Sequence, residues 1–202
     1  MTPPPTLALD VDGVLVEGLP RYRWDAQIEV DLGIAPNRLQ KEFFQPHWRD
    51  IVLGYAPVEI HLKTFLEEYP SKVSVQEFLS YWHSNDAHLR DDVVDAALRW
   101  KKRYGGKLAL TTNQDRARLA FLKEMPRIGK HFQTMVVSCE VGVAKPELAY
   151  FEAADLLLNR GPEQTVIFLD DLSVNVSAAT AHGWVAHQVI KIDLAADIID
   201  AL

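Results

Sequence analysis

The sequence LALDVDG at residues 7–13 joins a short apolar run directly to two carboxylates and a glycine. A run of consecutive apolar residues that is only a few positions long is typical of a strand buried on both faces of a parallel sheet. Similar runs follow at 108–111, 135–138, 166–169 and 185–189. From the second run onward, segments with helical periodicity lie between them, at 115–124, 147–158 and 173–181. This alternation predicts an α/β fold, a parallel sheet with helices on both faces.

The first connection, between the first and second runs, is much longer than the about 30 residues that a whole βαβ unit needs. Its last part predicts one helix of the sheet domain, with Leu89, Val93, Ala97, Trp100 and Tyr104 on one face and Gly105-Gly106 after it. The surplus residues contain amphipathic stripes and a capping box formed by Ser74 and Glu77. We therefore expect a core domain formed by residues 1–14 and 89–202, with a small all-helical cap, residues 15–88, inserted into it.

Composition narrows the possible partners. The chain has 202 residues, and 28 Asp and Glu against 21 Lys and Arg give a formal net charge of −7. Such a surface repels a phosphate backbone on average, so nucleic acid is not an expected partner. One cysteine, Cys139, and an N-terminal apolar run that soon meets carboxylates argue against a secreted or membrane-anchored protein. We expect a cytoplasmic protein without a membrane partner, and the oligomeric state is not readable from the sequence.

Polar side chains follow four of the predicted strands. They are Asp10 and Asp12 after the first, Thr112 and Asn113 after the second, Lys145 in GVAKPE after the third, and Asp170 and Asp171 after the fourth. Because the carboxyl ends of parallel strands meet at one edge of a sheet, we expect these groups in one crevice. Taken singly, each also has a structural explanation: an Asp-Gly turn, a helix N-cap or a solvated lysine. Paired carboxylates suit a divalent cation and a carboxylate nucleophile as well.

The order of these groups resembles that of a known family. The segments DVDGV, LTTN, VAKPE and FLDD are similar to the motifs of the haloacid dehalogenase superfamily, and in particular to its capped, phosphatase-like hydrolases. The likeness extends across nearly the whole chain. It implies a Rossmann-like core sheet with strand order 3-2-1-4-5, whose switch point lies between the strand that carries Asp10 and the strand that ends at Asp170.

The resemblance also implies a role for each group. Asp10 would be the nucleophile that becomes an aspartyl phosphate, and Asp12 would act as general acid and then as general base. Mg²⁺ would be held by Asp10, the backbone carbonyl of Asp12, Asp170 and Asp171. The phosphoryl charge would be compensated by Thr112, Asn113 and Lys145. The expected function is that of a Mg²⁺-dependent phosphatase acting on a small phosphorylated metabolite.

Three other functions are compatible with this scaffold: a phosphomutase acting on a sugar phosphate, a 2-haloacid dehalogenase, and a noncatalytic binding protein. Dehalogenases of this superfamily typically lack the second aspartate of the first motif, so Asp12 argues against that reaction. A noncatalytic protein would be expected to have lost at least one of the motif residues, and all are retained. The motifs do not separate a phosphomutase from a phosphatase.

Selection of the substrate is expected to come from the cap. The cluster Arg21, Tyr22, Arg23 and Trp24 closely follows the nucleophile loop and could contact the substrate, whereas a solvated helix entry explains it equally well. Trp48 and Arg49 are weaker candidates. Trp82 and Trp100 are expected in the apolar core, and His83 and His88 are expected on a loop.

Overall fold

The computed structural model describes residues 3–17, 23–69 and 72–202. Its five parallel strands are β1 (Thr6–Leu9), β2 (Lys107–Thr112), β3 (Thr134–Val137), β4 (Val166–Asp170) and β5 (Val185–Gln188). They form one sheet in the order β3-β2-β1-β4-β5, which confirms the predicted order. β1 ends earlier than the sequence suggests because the N–H of Val11 donates to the Asp10 carboxylate at 2.7 Å instead of to a neighbouring strand.

Helices fill the connections between the strands. Before β2 they are α1 (Ile28–Leu32), α2 (Pro36–Arg38), a π-helical segment (Leu39–Phe44), α3 (Gln45–Val52), α4 (Val58–Glu67), α5 (Val75–Asn85) and α6 (Asp91–Tyr104). After β2 they are α7 (Arg116–Glu124), α8 (Pro126–Gly129), α9 (Ser138–Val141), α10 (Leu148–Leu158), α11 (Ser173–Ala181), a 3₁₀ turn (Ile192–Leu194) and α12 (Ala195–Ala201). The helices predicted over 115–124, 147–158 and 173–181 are therefore present.

Both faces of the sheet are covered by helices, as predicted. Alternate residues of a strand point to opposite faces, and in β1 Leu7 and Leu9 join a buried cluster with Trp100 of α6 and Ile199 of α12. Ala8, between them, joins a second cluster on the other face, to which α10 and α11 contribute. The strand that carries Asp10 is therefore fixed in the centre of the sheet by packing on both sides.

The structure corrects four local predictions. The helical periodicity of 147–158 predicts that Leu148 shares a buried face with Phe151 and Ala154, but Leu148 is the first residue of α10 and 58% of its surface is exposed. Proline is favoured at the first position of a helix, which predicts Pro146 there, but Pro146 lies two positions before α10. Leu89 precedes α6 and forms an isolated bridge with Val16. His83, expected on a loop, is buried within α5.

The described elements between residues 28 and 85 are all helical and have a buried apolar cluster of their own, formed among others by Ile28, Phe43, Leu62 and Phe78. The predicted capping box opens α5: Ser74 Oγ accepts from the Glu77 N–H at 3.2 Å, and the Glu77 carboxylate accepts from the Ser74 N–H at 2.8 Å. The division into a core and a cap with bounds at residues 14 and 88 stays a prediction. Among the described helices, α6 included, we find none with the length and apolarity that a membrane span requires.

Candidate active site

The carboxyl edge of the sheet gathers the predicted polar groups. Asp10 follows β1 directly, Thr112 ends β2, and Asp170 ends β4. Their exposed fractions are only 8%, 2% and 0%. Because burying an ionised carboxylate is costly unless it is paired or hydrogen-bonded, the partners of Asp10 and Asp170 decide what this edge can do.

Lys145 is the cation that reaches both buried carboxylates. Its Nζ lies 3.0 Å from Asp10 Oδ2 and 2.6 Å from Asp170 Oδ2, and it donates to the backbone carbonyl of Thr111 at 2.7 Å. Burial alone would lower the pKa of Lys145, but the charges of Asp10 and Asp170 outweigh burial and raise it. The lysine is therefore charged and enclosed, so the interpretation of a solvated lysine is wrong.

Asn113 fixes the loop that carries this lysine. Its side-chain Nδ2 donates to the Lys145 carbonyl, and its Oδ1 accepts from the Lys145 N–H, each at 2.9 Å. The N-cap of α7 is instead Asp115, whose carboxylate accepts from the N–H groups of Ala117 and Arg118. Asn113 is therefore not the helix cap, and both polar atoms of its side chain serve to place Lys145.

Asp170 is held in one orientation by its own neighbours. Its Oδ1 accepts from the Leu172 N–H and its two oxygens accept from Asn175 Nδ2, at 2.9 to 3.0 Å. Across the site, Gly13 has a φ of 77°, and a Cβ at this position would lie 2.6 Å from the Asp171 carboxyl carbon. The Asp-Gly turn after β1 therefore allows the carboxylates from two strands to approach each other.

Three carboxylates in this site are arranged as a cation would require. Asp10, Asp170 and Asp171 each place an oxygen within 4.8 Å of the others. Burial, reinforced by the charge of Asp170, raises the pKa of both Asp10 and Asp171. One lysine does not balance three acids, and hard oxygen ligands at this spacing suit Mg²⁺. The donor set therefore fits a divalent cation, which would offset the charge that Lys145 leaves uncompensated.

Asp12 lies beside this cluster, and half of its side-chain surface is exposed. Gln114 Nε2 donates a short hydrogen bond to Asp12 Oδ2. Arg118 Nη2 lies 3.9 Å from Asp12 Oδ1. Asp12 is thus oriented by two side chains from the connection after β2 while remaining open to the crevice.

Sequence reasoning missed Arg118. Only 1% of its side chain is exposed, and its guanidinium donates to the backbone carbonyls of His83 and Asp86 and lies 3.6 Å from the Asp86 carboxylate. It therefore ties the end of α5 to Asp12 at the sheet edge. No signal in the sequence separates this arginine from the exposed Arg116 two residues earlier, because the partners lie more than 30 residues away along the chain.

Two adjoining cavities open at this edge. The smaller, of about 370 Å³, is lined by the sheet-edge residues Asp10, Gly13, Thr112, Asp171, Leu172 and Asn175. The larger, of about 820 Å³, extends under the helices before β2. Five residues line both: Asp12, Trp24, Asp86, Asn113 and Lys145. We call the smaller cavity the acidic cavity and the larger one the aromatic cavity.

The predicted cap contacts have different outcomes. Arg21 and Tyr22 lie outside the described residues. Arg23 pairs with Asp25 at 2.8 Å and does not line either cavity, whereas Trp24 lines both. The weaker candidates Trp48 and Arg49 line the aromatic cavity, and so does Trp82, which was expected only in the core. Trp100 is a core residue, as predicted.

Comparisons with known proteins bear on the fold and the family of this chain. The chain is 27% identical over 205 residues to the mouse protein acyl-CoA dehydrogenase family member 10, of which it spans only 18% while 96% of the chain is covered. A crystal structure of a HAD family enzyme from Bacteroides thetaiotaomicron in complex with magnesium and inorganic phosphate has a TM-score of 0.74, with 18% identity and 92% and 94% of the two chains covered. A β-phosphoglucomutase-like structure from Thermotoga maritima has a TM-score of 0.60, with 20% identity and 98% and 99% covered.

The structural neighbours share the fold at low sequence identity, and the mouse relative is much longer than this chain. The family assignment rests on a stronger match. The model of the haloacid dehalogenase-like hydrolase family matches residues 4–183, which include every motif residue from Asp10 to Asp171. This protein therefore belongs to the haloacid dehalogenase-like hydrolases.

Proposed function

We propose that the protein is a Mg²⁺-dependent phosphatase that hydrolyses a small phosphorylated metabolite through an aspartyl phosphate at Asp10. The observation that carries the proposal is the meeting of three carboxylates around Lys145, with Asp12 beside them and open to the crevice. A phosphate monoester can approach an anionic nucleophile only where cations compensate its charge. The magnesium and phosphate in the neighbouring enzyme support this interpretation.

The metal would be held by Asp10, Asp170 and Asp171, together with the backbone carbonyl of Asp12 that the family resemblance implies. When bound, Mg²⁺ supplies positive charge that neutralises the carboxylates and the phosphoryl oxygens. Lys145 supplies the second positive charge, and Thr112 places its hydroxyl group in the wall of the same cavity. These groups would orient the ester with its phosphorus towards Asp10.

The chain's own residues account for both proton transfers. In the first step the Asp10 carboxylate forms a bond to phosphorus, the bond to the leaving oxygen breaks, and protonated Asp12 gives its proton to that oxygen. In the second step Asp12 takes a proton from water, the water oxygen attacks phosphorus, and the bond to Asp10 breaks. Phosphate leaves, and both carboxyl groups return to their starting states.

The rival reactions differ in their need for Asp12 and in the fate of the phosphoenzyme. Dehalogenation at carbon requires no proton donor at Asp12, and the presence of this aspartate beside Asp10 favours phosphoryl transfer. A phosphomutase would return the phosphoryl group to its sugar. ³¹P spectra of a reaction with a sugar phosphate distinguish the two, because a mutase produces an isomeric ester and a phosphatase produces inorganic phosphate.

The test is a panel of phosphate monoesters assayed for released phosphate with Mg²⁺ and with excess chelator. We expect release that depends on Mg²⁺ and that falls by at least ~10⁴-fold in Asp10→Asn, because an amide cannot serve as the nucleophile. The exposed Asp197→Asn is the matched control and should retain full activity. Turnover that persists in chelator, or in Asp10→Asn, would exclude the proposal.

A further inference from the structure

The aromatic cavity is larger than phosphoryl transfer requires. The acidic cavity, of about 370 Å³, is already lined by Asp10, which would be the nucleophile, by Asp171 and by Lys145. The aromatic cavity adds about 820 Å³ and meets it at Asp12, the residue that would protonate the leaving oxygen. The aromatic cavity therefore adjoins the expected position of the leaving oxygen and has room for the part of the substrate beyond it.

Four aromatic side chains form that wall. Trp24 stacks on Trp82 with ring centroids 5.2 Å apart and an interplanar angle of 24°. Phe44 meets Trp82 edge to face at 5.3 Å and Trp48 at 5.7 Å. All four line the cavity. Such a cluster offers both ring faces and ring edges, which a further aromatic ring can meet in an offset-stacked or a T-shaped arrangement.

The need for a helical core accounts for Trp82, which is buried in the apolar cluster, but not for the other three residues. The apolar cluster of this region already buries Ile28, Phe43 and Phe78 completely. Trp24, Phe44 and Trp48 pack against that cluster but remain only half-buried, and the surface they retain lines the cavity. Apolar surface left in contact with water is unfavourable by about 25 cal/mol per Å². A ligand that covers it would recover that free energy.

The polar groups of the cavity lie around this wall. The cap contributes Gln40, Gln45 and Arg49, which are exposed, and the junction with the sheet contributes Asp86, Gln114 and Arg118. In pockets with an apolar wall, a few polar groups fix the orientation of the ligand, so the ligand is expected to combine an apolar surface with some hydrogen-bonding groups. A planar aromatic ring can cover such a wall with its whole face, whereas a sugar ring can do so only with the C–H groups between its hydroxyl groups.

We propose that the natural substrate is a phosphate ester whose alcohol part carries a planar aromatic or heteroaromatic ring, and that this ring packs against the wall formed by Trp24, Phe44, Trp48 and Trp82. The inference rests on the proposed function, since it describes the leaving group of the same reaction. It goes beyond that function because the residues of the acidic cavity contact only the phosphoryl group.

The test compares two esters that differ in the ring alone, benzyl phosphate and cyclohexylmethyl phosphate. Both are esters of primary alcohols of similar size and acidity, so chemistry at phosphorus is matched. We expect kcat/KM for benzyl phosphate to be about three- to tenfold higher, the range that an aromatic contact provides beyond burial of area. The difference should be reduced to less than about twofold in Trp48→Leu. The matched control is Tyr55→Leu, a ring that is 70% exposed and does not line the cavity.

A binding measurement keeps this proposal separate from the proposed function. Three of the five tryptophans line the aromatic cavity, while Trp100 and Trp184 are buried in the sheet domain. Benzylphosphonate should therefore quench tryptophan fluorescence, and it should bind about three- to tenfold more tightly than cyclohexylmethylphosphonate. Equal turnover of the two esters and equal binding of the two phosphonates would overturn the aromatic proposal, even in an active phosphatase. Absence of turnover with preferential binding of the aromatic ring would instead exclude the phosphatase function alone.

Discussion

The acidic cavity and the aromatic cavity are neighbours, but they are built in opposite ways. In the acidic cavity the functional groups are ionisable, almost fully buried and held by directed polar contacts, as Lys145 and Asp10 show. In the aromatic cavity they are apolar, half-buried and held by ring packing within the helical cluster. The first arrangement tolerates little displacement of its atoms, whereas the second can accept rings of different outline.

This difference shows how one fold can keep its chemistry while changing its substrate. The residues of the acidic cavity come from the ends of strands, which the sheet fixes relative to each other. The aromatic wall comes from the connection between β1 and β2, with Trp24 in the turn before α1 and the other three residues in helical elements. Asp12, Asp86 and Arg118 lie where the two cavities meet, so substitutions there show how far the cavities act independently.

The largest effect is expected at Asp12. Asp12→Ala should lower turnover by ~10²- to 10⁴-fold, the usual contribution of a positioned acid and base. The loss should depend on the leaving group, because a nitrophenolate needs little protonation whereas the alkoxide of a sugar or benzyl phosphate needs it. Steady-state assays with both kinds of ester measure this difference.

With the activated ester, Asp12→Ala should also accumulate phosphoenzyme, because hydrolysis of the aspartyl phosphate still requires a base. Rapid-quench experiments with labelled substrate should show a stoichiometric burst followed by slow release. If Asp12→Ala turned over both esters at the wild-type rate, Asp12 would be only a turn residue. Another group would then have to protonate the leaving oxygen.

A smaller effect is expected at Arg118, which ties the end of α5 to Asp12. Arg118→Met should lower kcat by roughly tenfold to 10²-fold, because Asp12 and the Asp86 carbonyl lose a fixed partner. It should also reduce the free energy of unfolding by ~3 kcal/mol, since the Asp86 carboxylate is left without its buried cation. Stopped assays and urea unfolding measure the two effects.

Arg116→Met is the matched control, because this exposed arginine lies on the same helix two residues earlier. Arg118→Lys should restore part of the stability but little of kcat, since an ammonium group cannot make the guanidinium's several directed contacts. If Arg118→Met lost stability with an unchanged kcat in the folded fraction, Arg118 would be a structural residue that does not position Asp12.

The same contrast explains what could be predicted from the sequence. The parallel sheet, the helices on both faces and the capping box at Ser74 followed from local patterns, and the strand order followed from the family resemblance. The family resemblance could be recognised, and was confirmed, because each of the motifs that define it is a contiguous segment of the sequence. The roles of the individual site residues remain predictions.

The aromatic wall and Arg118 could not be predicted, because their partners are distant along the chain. Trp24 meets Trp82 only after several helices have packed, and Arg118 meets Asp86 across the junction of α5 and α7. His83 and Leu148 were misplaced because helical periodicity does not show where a helix begins or how far it continues. Tertiary contacts decide the positions of the aromatic wall and of Arg118.

The smallest effect concerns Asp86, which lines both cavities. Burial raises the pKa of Asp86 to about 6; the nearby Arg118 opposes this shift and the charge of Asp12 adds to it. The folded protein therefore holds this proton more tightly than the unfolded chain does. The stability that protonated Asp86 contributes is complete below about pH 4 and is lost as the pH rises through 6.

An asparagine mimics the protonated form at every pH, so Asp86→Asn isolates this contribution. We expect the free energy of unfolding of the wild type minus that of Asp86→Asn to fall by about 1 kcal/mol between pH 5 and pH 7. Urea unfolding at pH 5, 6 and 7 measures it, and the same subtraction with the exposed Asp197→Asn should be flat. A flat line for Asp86 as well would mean that water reaches the junction freely. The two cavities would then be one open cleft, and the contrast between an enclosed acidic cavity and an adaptable aromatic one would not hold.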